Sequence, residues 1–483
     1  FIDFLLSGEG EESIFELIKA LQSNGDLDIR GLSYREGDQL TINDEIRLVE
    51  DLNIIPSPYK FLLDKYKAKG EDPYLSLKKE FKNRIVYYES SRGCPFNCYF
   101  CLSSTIKKTR FFDINRVKED LLLLIKAGVG QVKFIDRTFN AKKEIFYDLL
   151  NFLIKNDNGN INFHFEIVAS LLDYEQIDFL SRARKDLFQF EIGVQSTNEE
   201  TILSVGRKAE FDKISKVVKK LDEGGNIHQH LDLIAGLPYE GYDRFLKSFD
   251  DVYELGAEKI QLGFLKLLKG SPIRDLKDKY GYVFTDYPPY EVISNKFITY
   301  KEIIKLKEIE ETVEIYLTDS RFKKTLSYAI EKVDRASKFF EEFTKYRVQK
   351  GYADNPLSLE KHYTILKDFL NKKYPEDSYI NSLIIFDFLT NTRNTKTPKG
   401  LEFETVSYQA THDTLREIIN KEIFSFSKGD RVKEEVKFSR IVKFSPSLKE
   451  KDIKGEYILF KRVDKKIEYY DVTEIVEGLN ECD

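Results

Sequence analysis

Three cysteines fall within eight residues, in Cys94-Pro95-Phe96-Asn97-Cys98-Tyr99-Phe100-Cys101. Thiolates at that spacing can wrap one soft metal centre on a single loop: an iron–sulfur cluster, Zn or Cu(I). A four-iron cubane held by three cysteines leaves one iron open to an outside ligand. A structural Zn site needs a fourth Cys or His to close its tetrahedron. The next candidates, His164 and Cys482, lie far along the chain. Three of the four cysteines in one cluster is no disulfide framework. Cys482, the penultimate residue, reads as a spare thiol on a frayed end.

Further polar residues interrupt apolar runs. Asp136 and Thr138 sit in Phe134-Ile135-Asp136-Arg137-Thr138-Phe139-Asn140, where Thr138 or Asn140 could equally cap a helix. Glu166 lies between Phe165 and Ile167. A buried unpaired carboxylate costs several kcal/mol, so Glu166 needs either a cationic ligand or an internal salt bridge. Gln195 closes Phe190-Glu191-Ile192-Gly193-Val194, Arg207 follows Ser204-Val205-Gly206, and Asp232 sits in His230-Leu231-Asp232-Leu233-Ile234-Ala235-Gly236-Leu237-Pro238. His228 and His230 share one face of a strand and could ligate a metal or simply line a pocket. Glu291, after Pro288-Pro289-Tyr290, reads as a turn or helix-start residue rather than a catalytic acid. No residue is singled out as the catalytic one.

These residues need a scaffold, and the middle of the chain supplies it. Strand-like runs at Ile85–Glu89, Gln131–Ile135, Asn162–Val168, Leu187–Val194, His230–Ile234 and Lys259–Leu265 alternate with amphipathic helical stretches such as Val117–Ile125, Glu144–Ile154 and Phe211–Leu221. Six strands alternating with helices predict an α/β fold, a partial parallel (βα)6 barrel over residues 85–270, whose chemistry sits at the C-terminal ends of its strands. Residues 1–21 read as a strand, a Gly-Glu-Gly-Glu turn and a helix, the end of an N-terminal α/β domain. Residues 22–84 read as a linker with two short helices. Residues 299–483 read as a C-terminal α+β domain, with strand-like runs at Val436–Phe444, Tyr457–Lys461 and Lys466–Tyr470 and a turn at Arg462-Val463-Asp464-Lys465.

The chain has 483 residues and a net charge of −6, from 76 Lys+Arg against 82 Asp+Glu. No apolar run approaches the roughly 18 residues needed to cross a bilayer. With 37 Phe and 28 Tyr the chain is not disordered. The mildly acidic balance gives no nucleic-acid signature, and the lack of a leader-like opening favours the cytoplasm. Methionine is absent altogether, which suggests residues missing from the sequence as written.

The CxxxCxxC pattern after a first barrel strand resembles the radical S-adenosylmethionine (SAM) superfamily. The resemblance implies that Cys94, Cys98 and Cys101 hold a [4Fe–4S] cluster whose open iron chelates SAM. It implies one-electron cleavage to a 5′-deoxyadenosyl radical, with a low-potential donor such as flavodoxin or ferredoxin. Phe100 matches the aromatic position near the adenine. Asp136 and Thr138 stand where the family usually has a Gly-Gly-Glu-like stretch that accepts from the methionyl amine. The glycines are missing here, and these two side chains are the substitutes. Glu166 is a further candidate cofactor contact, through the positive sulfonium or amine, with the internal salt bridge as its alternative. Gln195, Arg207 and Asp232 resemble the ribose-binding glutamine, the carboxylate-pairing arginine and the ribose-binding aspartate of the branch that includes the oxygen-independent coproporphyrinogen oxidases.

Phe1–Leu21, with Ser7-Gly8-Glu9-Gly10-Glu11-Glu12, resembles the closing strand and helix of a cobalamin-binding domain. Phe190–Gln195, the strand His228–Pro238 and Gln261-Leu262-Gly263-Phe264-Leu265-Lys266 resemble one cobalamin-associated branch with an uncharacterised C-terminal domain. The near-continuous apolar run of Phe1, Ile2, Phe4, Leu5 and Leu6 suits an internal parallel strand, with more strands upstream in the natural chain. The expected activity is cobalamin-assisted methylation or rearrangement of an unactivated carbon. Competing readings are a methylthiotransferase, which usually has a second cysteine trio, and a non-enzymatic iron–sulfur scaffold or redox sensor. The scaffold has no need of Gln195, Arg207 and Asp232 together.

Overall fold

The computed structural model describes residues 2–480 apart from 44–45, 107, 319, 354–355, 393–397, 425, 427–429, 450–452, 454 and 464–465. Cys482 and half of the turn expected at 462–465 therefore lie outside the described residues. The chain opens with strand β1 (Phe4–Leu6) and the helix Gly10–Ser23, then β2 (Leu32–Glu36) and β3 (Gln39–Ile42). These strands form an antiparallel sheet in the order β1-β2-β3. Where the apolar run at the start suggests a parallel strand, β1 pairs antiparallel with β2, and Leu5 is half exposed. An apolar run by itself does not fix the direction of its partner. Helices Pro58–Ala68 and Pro73–Glu80, each begun by a proline in its first turn, lead to the barrel.

The central sheet contains β4 (Ile85–Tyr88), β7 (Gln131–Phe134), β8 (Asn162–Ile167), β9 (Phe188–Gln195), β10 (His228–Ala235) and β11 (Lys259–Phe264). Between β4 and β7 a two-stranded ribbon, β5 (Ser91–Arg92) with β6 (Arg110–Phe111), pairs antiparallel. The six central strands run parallel in the order β11-β10-β9-β8-β7-β4, and the two edge strands do not pair with each other. This is the predicted partial barrel. Its two faces separate by chemistry. Phe163, Phe165, Phe188, Phe190, Ile192, Leu231 and Leu233 are buried beneath the helices. Alternate residues, including Lys133, His164, Glu166, Gln189, Glu191, His230 and Asp232, line the other face. The covering helices are amphipathic, and two of them, Ile114–Lys126 and Tyr174–Leu180, are capped by aspartate side chains. Asp113, for example, accepts from the amides of Asn115 and Arg116 to start the helix Ile114–Lys126, which buries Val117, Leu121 and Leu124.

Beyond β11, the short strands β12 (Val283–Phe284) and β13 (Val292–Ser294) pair with each other. The residues leading into β13 continue the barrel edge antiparallel to the segment after β11. Leu267 N donates to Tyr290 O at 2.8 Å and Val292 N to Leu265 O at 2.9 Å. Five helices from Tyr300–Val313 to Tyr379–Asn391 share one hydrophobic core with the barrel. A four-stranded antiparallel sheet follows, β14 (Glu404–Thr405), β15 (Ser439–Lys443), β16 (Tyr457–Val463) and β17 (Lys466–Asp471). It shelters a smaller core around Leu415, Ile418, Ile441 and Leu459. The strand expected from Val436 begins only at Ser439, because 436–438 form a short 3₁₀ turn. Among the described residues no helix is long and apolar enough to cross a membrane.

Candidate functional site

The cysteines lie on the loop between β5 and β6, just past the C-terminal end of β4. Ser91 pairs with Phe111 and Arg92 with Arg110, so the ribbon draws the two ends of the loop together. Gly93 makes the closure possible: at φ +100° it lies so close to the opposite limb that a Cβ would stand 2.3 Å from Lys108 O. The three thiols are half-buried. Burial, with Cys94 and Cys101 nearby, pushes the Cys98 thiol up, while the Arg207 guanidinium opposes that shift. Among the described residues no three His, Cys, Asp or Glu side chains converge closely enough to hold one metal ion. Three ligands on different irons of a cubane need not share one centre, whereas a single Zn requires donors about 2 Å from the same point. The chemistry of the donor set, three soft thiolates on one loop, suits an iron–sulfur cluster.

Two backbone features bring the cofactor shelf against this loop. Tyr99 N donates to Val205 O at 2.9 Å. Gly206, at φ +74°, allows its segment to approach so closely that a Cβ would lie 2.7 Å from Asn97 O. Arg207 follows directly and donates through Nη2 to Gly193 O at 2.8 Å. Gln195 folds back over the same glycine, where a Cβ would be 2.2 Å from Gln195 Nε2. A register shift between β9 and β10, at Asp232/Leu233, and a φ of +71° at Gln195 re-aim this side chain. Phe100, Gln195 and Asp232 line one cavity of about 340 Å³ together with Gln261, Phe264 and Lys266. Gln195 Oε1 and Asp232 Oδ1 are buried there without a hydrogen-bond partner. Such acceptors carry a desolvation cost that a ligand donor would offset.

Charge in the barrel lumen is graded. His164 Nε2 and Lys133 Nζ each lie 3.0 Å from Glu191 Oε2. His164 and Lys133 together hold the Glu191 carboxyl down to about 2. Asp232 is pushed up to about 8 by burial and by the Glu191 and Glu166 carboxylates. Burial and Glu191 also raise Glu166, whose cationic neighbour, Arg137 Nη1, is 4.0 Å away. His230 drops to about 3 through burial, and Gln189 Nε2 lies 3.1 Å from its Nε2. His228 is adjacent, with ring centroids 4.8 Å apart. The Lys133–His164–Glu191 network is absent from the sequence reading. Its signal was the polar residue at every second position on three neighbouring strands.

Asp136 and Thr138 stand apart from the cavity lined by Phe100, Gln195 and Asp232. Asp136, fully buried, accepts from Ser90 N at 3.0 Å, Ser90 Oγ at 2.6 Å and Ser91 Oγ at 2.5 Å, and burial raises its carboxyl to about 6. It ties the end of β7 to the entry of the cysteine loop. Thr138 Oγ1 lies 3.5 Å from Cys94 Sγ. Asn140 makes a two-way bond with the backbone of Val168 rather than capping a helix. Glu291 pairs with Lys307 beside Phe264. On the other side of the cysteine loop a cavity of about 760 Å³ is lined by Gly8, Glu9, Gly10 and Glu11 from the N-terminal segment, by Glu89, Arg92 and Gly93, and by Ile135 and Arg137.

Residues 88–252 match the family model of the radical SAM superfamily, and residues 278–460 match a protein family of unknown function, DUF4080. An uncharacterized methyltransferase, PH0819, of Pyrococcus horikoshii is 35% identical over 266 residues, covering 52% of this chain and 54% of the relative. The cobalamin-dependent radical SAM methyltransferase TokK of Streptomyces tokunonensis is 25% identical over 297 residues, covering 56% of this chain and 40% of the relative. The structure of the radical SAM methyltransferase TsrM from Kitasatospora setae, with cobalamin and a [4Fe–4S] cluster, aligns at 17% identity and a TM-score of 0.46, covering 59% of this chain and 55% of that one. The chain thus spans about half the length of the relatives it matches.

Proposed function

Because the chain belongs to the radical SAM superfamily through residues 88–252, we propose that it is an enzyme whose Cys94, Cys98 and Cys101 hold a [4Fe–4S] cluster and whose shelf binds SAM. The observation that carries this reading is that Phe100, between the half-buried Cys98 and Cys101, lines a cavity containing two unpartnered buried acceptors, Gln195 Oε1 and Asp232 Oδ1. When bound, the cluster supplies the electron that cleaves the sulfonium and yields a hydrogen-abstracting 5′-deoxyadenosyl radical. The chain's own residues do the positioning. Gln195 and Asp232 present acceptors to the ribose hydroxyls, and Phe100 supplies an apolar face to the base. Arg207, held by Gly193 O and next to Cys98, retains guanidinium donors for the methionyl carboxylate. Glu166 faces the cationic part of the ligand. Asp136, with Ser90 and Ser91, fixes the root of the cysteine loop, and Thr138 borders Cys94.

The reaction we propose is cobalamin-dependent methylation of an unactivated carbon. Its support is the resemblance of Phe1–Leu21 to the end of a cobalamin-binding domain and the open cavity that this segment lines beside the cysteine loop. The methyltransferase names of the two relatives above agree. The test is anaerobic reconstitution with iron, sulfide and cobalamin, followed by reduction in the presence of SAM. Formation of 5′-deoxyadenosine and a protein-bound corrinoid spectrum are expected. Turnover of SAM without corrinoid retention would limit the reading to SAM radical chemistry alone, and no turnover would remove it.

A further inference from the structure

The neck of the cysteine loop is gripped from outside the barrel. Glu9, from the N-terminal segment, is nearly buried, its side chain 8% exposed. Its carboxylate accepts from Val49 N at 2.6 Å and from both terminal nitrogens of Arg110, with Nη1 at 2.8 Å. Arg92 Nη1 stands 3.5 Å from the same carboxylate. Arg92 in turn donates to Glu89 from Nε at 2.9 Å and from Nη2 at 2.8 Å, and its Nη2 lies 2.8 Å from Glu11. Arg92 and Arg110 are the paired residues of the β5–β6 ribbon, one on each limb of the loop, and Arg92 is two positions before Cys94. Despite its burial the Glu9 carboxyl is held below the usual range by these partners.

Two guanidiniums side by side repel each other, and they meet here because one buried carboxylate lies against both. The same segment, Gly8 to Glu11, lines the 760 Å³ cavity together with Arg92, so whatever fills that cavity touches the clamp itself. We infer that Glu9 is a positioning residue for the cysteine loop: it fixes the geometry and the charge around the cluster and couples both to occupancy of the neighbouring cavity. The inference rests on the proposed cluster at Cys94, Cys98 and Cys101. Reduction of a cluster adds negative charge, so removing a nearby carboxylate favours the reduced state.

The test uses the full chain with its cluster reconstituted. Wild type, Glu9→Gln, Glu9→Asp and Glu11→Gln are titrated potentiometrically, with the reduced cluster followed by EPR. Glu9→Gln keeps the shape and loses the charge. It is expected to raise the ratio of reduced to oxidised cluster at fixed potential by roughly threefold to tenfold, tenfold being about 59 mV for a one-electron couple. Glu9→Asp, which keeps the charge, returns the midpoint toward wild type. Glu11→Gln, at a carboxylate that is 33% exposed and touches Arg92 alone of the two arginines, shifts it in the same direction by less and serves where Glu9→Gln does not fold. Cobalamin is also expected to alter the EPR line shape of the wild type and not that of Glu9→Gln. An unchanged midpoint in either glutamine variant that folds and carries full cluster overturns the inference. A wild-type protein that assembles no cluster would overturn the underlying reading instead.

Discussion

Replacing Asp232 by Asn tests the charge pattern of the lumen directly. Asp232 is buried beside two other carboxylates, Glu191 and Glu166, with Lys133 and Lys259 as its cationic neighbours. In the folded chain it titrates at about 8, against an ordinary value of 3.8. The folded state therefore binds a proton that the unfolded state has lost, and the folded protein loses stability as pH rises through that window. Each unit of difference is worth about 1.36 kcal/mol, so the full window costs on the order of 5 kcal/mol by pH 8. Asn has the shape of the protonated acid and no charge to lose. The expected result is that Asp232→Asn and wild type are equally stable near pH 4 and diverge steadily above it. The variant should be several kcal/mol more stable at pH 8, and the difference should level off beyond that. Denaturant unfolding of the ligand-free chain from pH 4 to 9 measures this. A stability difference that is flat between pH 5 and 8 would refute the reasoning, because it would mean that Asp232 is already ionised when folded.

Two further outcomes concern the site. Cys94→Ala, Cys98→Ala and Cys101→Ala should each fail to retain the cluster, since two thiolates cannot hold a cubane against water and oxidation. Iron and sulfide analysis after anaerobic reconstitution checks this, and full content in all three would remove the assignment. Arg207→Ala should leave cluster content intact and weaken SAM binding by about 2–5 kcal/mol, the usual loss when one partner leaves a buried charge-assisted pair. Equilibrium binding that matches wild type would return Arg207 to holding Gly193 O and nothing more.

The barrel and the cysteine loop were legible in the sequence because their signals are local. Strand–helix alternation repeats within tens of residues, and the thiols are three and four positions apart. Gln195 and Asp232 were also readable as polar breaks in apolar strands. The sequence could not give the shift of register that lets Gln195 fold over Gly193, because a bulge is a relation between two strands. Nor could it give the occupation of Asp136 by Ser90 and Ser91, or the buried pairing of Glu9 with Arg110, which joins residues 101 positions apart. The direction of β1 was equally invisible: Phe4, Leu5 and Leu6 read as apolar whichever way the partner runs.

The joint between β11 and β13 bears on where this protein can be cut and recombined. Tyr282 OH and Asn295 Nδ2 both donate to Gly236 O, and Val292 Cγ1 occupies the space where a Cβ on Gly236 would stand. Gly236 belongs to β10's exit, while Tyr282, Val292 and Asn295 lie within the second family match. The boundary between the two sequence families therefore runs through a single cooperative unit. A barrel truncated before residue 278 would leave the segment 265–267 after β11 without its antiparallel partner and orphan the Gly236 carbonyl. Exchange of C-terminal regions between relatives should succeed only when the crossover is placed after Asn295, carrying the β12–β13 hairpin with the barrel it completes.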